Sequence, residues 1–161
     1  RIPMSPGVRR VINIDEAFKT GFEVSWVQQL FRGTQQQLSL AYTYAQDLER
    51  DEALPEIPPM DIRYQLKGAY ANSRVFPEIS LRYVLEQNRV SQEFGETETP
   101  DFLVLDLKLG ISITNKIRLN AGVNNLFDEN YFEHLNRSVR GNADPIFAPG
   151  RNVYTNLSVQ F

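Results

Sequence analysis

The stretch "LVLDLKLGISI", residues 103–113, decides the fold. Its odd positions are Leu103, Leu105, Leu107, Leu109, Ile111 and Ile113, and its even positions include Asp106, Lys108, Gly110 and Ser112. Side chains that alternate with period 2 stand on opposite faces of a strand, and no helical period fits this run. The same rule sets Ile117, Leu119, Ala121 and Val123 against Arg118, Asn120, Gly122 and Asn124, and Val153, Thr155, Leu157, Val159 and Phe161 against Tyr154, Asn156, Ser158 and Gln160. Upstream it sets Leu38, Leu40, Tyr42 and Tyr44 against Ser39, Ala41, Thr43 and Ala45. Ile62, Tyr64, Leu66 and Tyr70 likewise oppose Arg63, Gln65, Lys67 and Ala69, and Ile79, Leu81, Tyr83 and Leu85 oppose Ser80, Arg82 and Glu86. Phe22, Val24 and Trp26 make a seventh strand, and a weaker eighth lies around Val11 to Ile14.

Many of these runs reach ten residues, longer than the roughly five or six of soluble strands and close to the roughly 9–11 that cross a bilayer at a tilt. The connections are short at "FRGT", "NSRVFP" and "TNK" and long at 47–59, 89–100 and 128–150. Short turns on one rim and long loops on the other are the layout of an outer-membrane barrel. Alternation alone does not separate that reading from a soluble barrel or sandwich with its apolar face inside. The charged groups on the polar faces favour a hydrated lumen: Arg63, Lys67, Arg82, Glu86, Asp106, Lys108 and Arg118. Tyr42, Tyr44, Tyr70, Phe127, Tyr154 and Phe161 near strand ends suit an interfacial girdle, although β-propensity also accounts for tyrosines there.

Composition excludes several classes. The chain of 161 residues has 17 Lys and Arg against 20 Asp and Glu, a net charge of -3, and no basic stripe, so nucleic acid is not an expected partner. It has no Cys, which removes disulfides and thiolate metal sites. No run approaches the length of an apolar membrane helix, and "RIPMSPGVRR" has no signal-peptide core.

"RLNAGVNNLFDENYFEHL", residues 118–135, followed by "PGRNVYTNLSVQF" ending on Phe161, resembles the last two strands of TonB-dependent outer-membrane receptors. "INIDEAFKTGFEVSW", residues 12–26, is similar to the family's hairpin in which Gly-x-Glu begins the descending strand. The resemblance implies an all-β fold of antiparallel transmembrane barrel strands, about eight of them here, forming the C-terminal part of a larger barrel of about 22 strands. It also implies that residues 1–161 lack the plug domain that fills such barrels. Asn125, Leu126, Phe127 and Asp128 would then sit where the penultimate strand meets the outer interface, with Phe127 in the girdle and the Asn and Asp side chains bonding free backbone groups. Gly150 and Arg151 would mark re-entry into the membrane, the glycine allowing a tight bend. Phe161 resembles the terminal signal read by the barrel assembly machinery, although Asn156 stands where such signals often have Gly.

The function that follows from the resemblance is TonB-energised uptake of a metal chelate through the outer membrane of a Gram-negative bacterium. A ferric siderophore comes first, with copper, haem or cobalamin as alternatives. "PGVRRVINIDEAFKTGFE", residues 6–23, leans toward a metal or its chelate. The implied partners are outer-membrane lipid, the TonB complex through the plug, the assembly machinery and the metal chelate. The competing class is a self-contained eight-stranded barrel with a passive structural or adhesive role.

Chemistry-bearing residues are few. His134, Arg137 and Arg140 in the last long loop are the candidates for substrate contact, yet a lone loop His is expected to be solvated. The acidic run "ETETPD", residues 96–101, reads as a wet loop, and Met4 and Met60 are too few to argue for copper. No nucleophile and base face one another, so no enzyme, catalytic residue, resident metal or cofactor is expected.

Overall fold

The computed structural model describes residues 2–5, 8–10, 16–137 and 144–161. The weak strand expected around Val11 to Ile14, and Arg140, lie outside the described residues. A small hairpin pairs β1 (Ile2–Ser5) with β2 (Val8–Arg10). The remainder is one antiparallel sheet of β3 (Ala17–Phe31), β4 (Thr34–Asp47), β5 (Glu52–Ala53), β6 (Asp61–Gly68), β7 (Val75–Val84), β8 (Phe102–Ser112), β9 (Ile117–Asn124) and β10 (Asn152–Val159). The order across the sheet is β10-β9-β8-β7-β6-β4-β3, with the short β5 pairing β4 alone.

The register carries each strand's apolar side chains to the same face. One row runs Trp26↔Leu38↔Tyr64↔Leu81↔Leu105, and the next runs Leu66↔Ile79↔Leu107↔Val123↔Val153. On the opposite face the matching rows are Ser25↔Ser39↔Arg63↔Arg82 and Gln37↔Gln65↔Ser80↔Asp106. The apolar face is not a core. Phe22 is 47% exposed, Trp26 48%, Leu109 41% and Leu157 59%, while the buried apolar residues among those described are Ala45, Val84 and Phe102. A soluble barrel or sandwich would bury this face, since leaving it in water forfeits about 25 cal/mol per Å² of apolar surface. The exposed apolar sheet therefore excludes the soluble reading.

The turns between β3 and β4, β6 and β7, and β8 and β9 fall on one rim. The loops 48–60 and 85–101 and the described parts of the last loop, 125–137 and 144–151, fall on the other. Gly33 makes the first turn at φ +80, where a Cβ would also meet the Ala69 carbonyl oxygen at 2.5 Å. Three local readings change. Residues 75–77 belong to β7 rather than to a turn, and Pro77 sits one residue past the last β6–β7 pair, Lys67↔Glu78, where a missing N–H is tolerated. The strand containing Gly21 starts at Ala17, so Gly-x-Glu lies inside it. Tyr154 pairs with Gly122 on the polar face and packs against it, so it is not part of an outer girdle.

Among the described residues β3 and β10 are the two edges of the sheet and do not pair with each other. Among the described residues the closed eight-stranded barrel considered as the alternative is not formed: the sheet is open, with β3 and β10 at its two edges.

Candidate functional site

The polar face and the long-loop rim carry the groups that can meet a solute. Toward the turn rim, Glu78 accepts from Gln65 Nε2 at 3.0 Å and from Lys108 Nζ at 3.2 Å. Nearer the loops, Arg82 bridges Asp61 on β6 at 2.7 Å and Glu133 of the last loop at 2.5 Å, and Arg63 joins the same Asp61 at 2.9 Å. Tyr131 stacks on Phe102 with ring centroids 4.2 Å apart, and the Arg82 guanidinium lies 5.4 Å from the Phe102 ring. Residues 131–133 therefore turn inward and pin the last loop to the polar wall at two points. Beneath it is a groove lined by Gln37, Ser39, Arg63, Arg82, Asp106 and Tyr131.

Where the chain leaves β9, Asn125 (φ 52) and Asp128 (φ 58) take left-handed backbone that Asn and Asp tolerate better than other side-chain-bearing residues. Asn125 is buried; its Oδ1 accepts from Glu129 N at 2.8 Å and its Nδ2 donates to Glu129 O at 2.9 Å. Leu126 N donates to Leu105 O at 2.8 Å, so the chain is still attached to β8 there. Asp128 Oδ1 accepts from Arg151 N at 2.7 Å and would lie 2.9 Å from a Cβ on Gly150. A side chain at Gly150 would press on the Asp128 carboxylate that caps Arg151 N, and the glycine's φ is not in the left-handed range. Phe127 is 61% exposed beside this knot, and Phe161 lies beyond the end of β10.

The rim holds a cluster that local sequence did not reveal. His134 is 3% exposed, against the expectation of a solvated loop histidine. Its Nδ1 is 3.1 Å from Thr99 Oγ1, and its Nε2 is 3.8 Å from Glu96 Oε1. Arg137, 5% exposed, donates to Glu96 and to His134 O. Glu96 and Thr99 are buried as well, so residues 96–101 do not form a wholly wet acidic loop. Glu96 also accepts from Glu56 N at 2.6 Å and Ser91 N at 2.9 Å. Burial by itself would raise the Glu96 pKa, but the His134 ring, the two backbone donors and Arg137 together outweigh it and hold the pKa at about 2. Glu96, which the sequence reading had left in solvent, is the centre of this cluster.

An apolar outer face, a polar inner face and long loops gathered on one rim define a segment of an outer-membrane barrel. Residues 2–126 match the family described as TonB dependent receptor-like, beta-barrel, and the chain belongs to that family. No curated protein is similar to it in sequence. Among solved structures, the copper transporter OprC is 29% identical with a TM-score of 0.80, over 90% of this chain and 24% of that one. A mutant of the ferric enterobactin receptor from Pseudomonas aeruginosa is 21% identical with a TM-score of 0.72, over 92% of this chain and 23% of that one. The ferric yersiniabactin uptake receptor FyuA from Yersinia pestis is 18% identical with a TM-score of 0.69, over 90% and 24%. The chain spans about a quarter of the length of these structures.

The barrels of this family sit in the outer membrane of Gram-negative bacteria, so the apolar face meets lipid, the polar face lines the lumen and the long loops face outward. Single cysteines at Asp51, Glu98 and Asn136 should react with an impermeant reagent on intact cells. Cysteines at Ser73 and Asn115, on the turn rim, should not, and the reverse pattern would invert the orientation.

Proposed function

We propose that this chain forms the C-terminal wall and outer loops of a receptor that binds a metal chelate at the cell surface and imports it by TonB-energised transport. The metal assignment rests on the 29% identity to a copper transporter across 90% of the chain. The choice of a chelate rests on the lumen rim. Arg63 and Arg82, paired with Asp61 and Glu133, make a hydrogen-bonding surface that suits a large polar chelate better than the coordination shell of a bare ion. Copper itself is the second reading, favoured by the identity to OprC; haem and cobalamin are chelates of the same general kind.

In this reading the protein is a transporter with no catalytic residue. Force from the TonB complex reaches it through a plug supplied by another part of the receptor. Phe127 anchors the outer interface, Asn125, Asp128, Gly150 and Arg151 shape the exit and re-entry of the last loop, and Phe161 engages the assembly machinery. His134 and Arg137 position the loops instead of touching the solute.

The test is uptake of radiolabelled copper and of labelled ferric chelates by cells with and without the intact receptor gene. Accumulation of one of them that stops when the proton-motive force is collapsed supports the proposal. Leakage indifferent to energy, or no difference between the strains, would overturn it.

A further inference from the structure

We infer that Glu96 is a positioning residue that joins the three long loops into a single cap, an inference that rests on reading those loops as the capture surface. Its carboxylate takes a proton donor from each loop: Glu56 N in loop 48–60, Ser91 N in its own loop, and the Arg137 guanidinium in loop 125–151. Loops 48–60 and 85–101 have further ties, Gln87 Nε2 to Ile57 O at 2.8 Å, Glu93 N to Glu52 Oε1 at 3.1 Å and Arg50 Nε to Glu93 at 3.2 Å. The last loop reaches that pair at the Glu96 cluster, through Arg137 and through His134 on Thr99. It is held independently to the wall by Glu133 on Arg82. Glu96 is therefore the joint between a loop fixed to the lumen wall and two loops fixed to each other.

The chemistry suits a joint. Arg137 and His134 are almost fully buried, and with the carboxylate removed the guanidinium would be a buried cation with no counter-charge. The buried Nε of Arg137 and Nε2 of His134 have no hydrogen-bond partner among the described residues, and the other acceptor that Arg137 reaches, His134 O, carries no charge. Loss of one side chain should then uncouple the last loop from the other two, without disturbing the strands below. A solute that touches any one loop meets a surface held by the other two, which lowers the ordering cost of closing around it.

Hydrogen exchange on the intact receptor in lipid distinguishes a joint from a local brace. In Glu96→Gln a single amide oxygen replaces the two carboxylate oxygens that accept from Glu56 N and Ser91 N, so one of these two amides loses its acceptor and exchanges faster on either account. The joint requires faster exchange, by about tenfold or more, at amides of the last loop that do not touch Glu96: Asn136 (to Glu133 O) and Ala148 (to Tyr131 O). Amides of β7 and β8 should be unchanged, which shows that the barrel is intact. Arg137→Lys keeps the charge but loses the planar fork, and should raise the same amides by a smaller factor. It also serves if the Gln variant fails to assemble. A rise confined to Glu56 and Ser91, or one that spares Asn136 and Ala148, would overturn the inference. The measurement uses no substrate, so an error in the substrate assignment leaves its outcome readable.

Discussion

Leu107→Arg should destabilise the barrel by about 2–4 kcal/mol, whereas Ser80→Arg should change it little. Leu107 lies midway along β8 with Ile79 and Val123 as its cross-strand neighbours, so an arginine there places a guanidinium in hydrocarbon among apolar side chains. Ser80 lies on the other face, across from Gln65 and Asp106, where the added charge meets water and a carboxylate. Denaturant titration of the intact receptor in bilayers measures both. Equal losses, or a larger loss at Ser80, would mean that the faces are assigned the wrong way round.

Acid should release the loops before it affects the strands. The Glu96 carboxyl has an ordinary pKa of 4.5 and is held at about 2 in the folded loops. A group whose pKa is lowered by folding contributes its stabilisation in full above the unfolded value and loses it as the pH falls toward the folded one. The contribution is on the order of 2–3 kcal/mol at neutral pH, retained down to roughly pH 4.5 and lost progressively from there to about pH 2. Protease cutting in 125–137, followed on the receptor in lipid as the pH is lowered, should rise across that window. In Glu96→Gln the cutting should be high throughout and almost flat. A wild-type profile as flat as that of the variant would show that the buried carboxylate does not control the loops.

The strands were legible because each has to satisfy two solvents at once. Leu103 to Ile113 alternates without interruption since one face meets lipid and the other water, and the observed strand, Phe102–Ser112, differs from the sequence reading by one residue at each end. The knot after β9 was legible for a local reason as well: the Asn125 side chain accepts from Glu129 N and Asn125 O accepts from Asp128 N, while the Asp128 side chain reaches the distant Arg151 N. The rim cluster was not. Glu96 lies forty residues from Glu56 and forty-one from Arg137, and "ETETPD" has the composition of a solvated loop. The one local trace is a shared spacing, Glu96 with Thr99 and His134 with Arg137, each three residues apart, and many unstructured loops show the same. Tyr154 was misread as a girdle residue because its place near a strand end was given more weight than its parity, which puts it on the lumen side with Asn156 and Ser158.

Apart from the two-residue β5, every strand of the sheet pairs with its immediate neighbours in the chain. Such a meander has short-range contacts throughout, so closure of each hairpin costs little chain entropy and strands can be added one after another to a growing edge. The same connectivity bears on how barrels of this kind change size over generations. Because no strand is threaded between two distant ones, a whole hairpin can be lost or duplicated and the remaining registers still match. The circumference would then change in steps of two strands, and the rows of side chains on either side of the joint would stay in line.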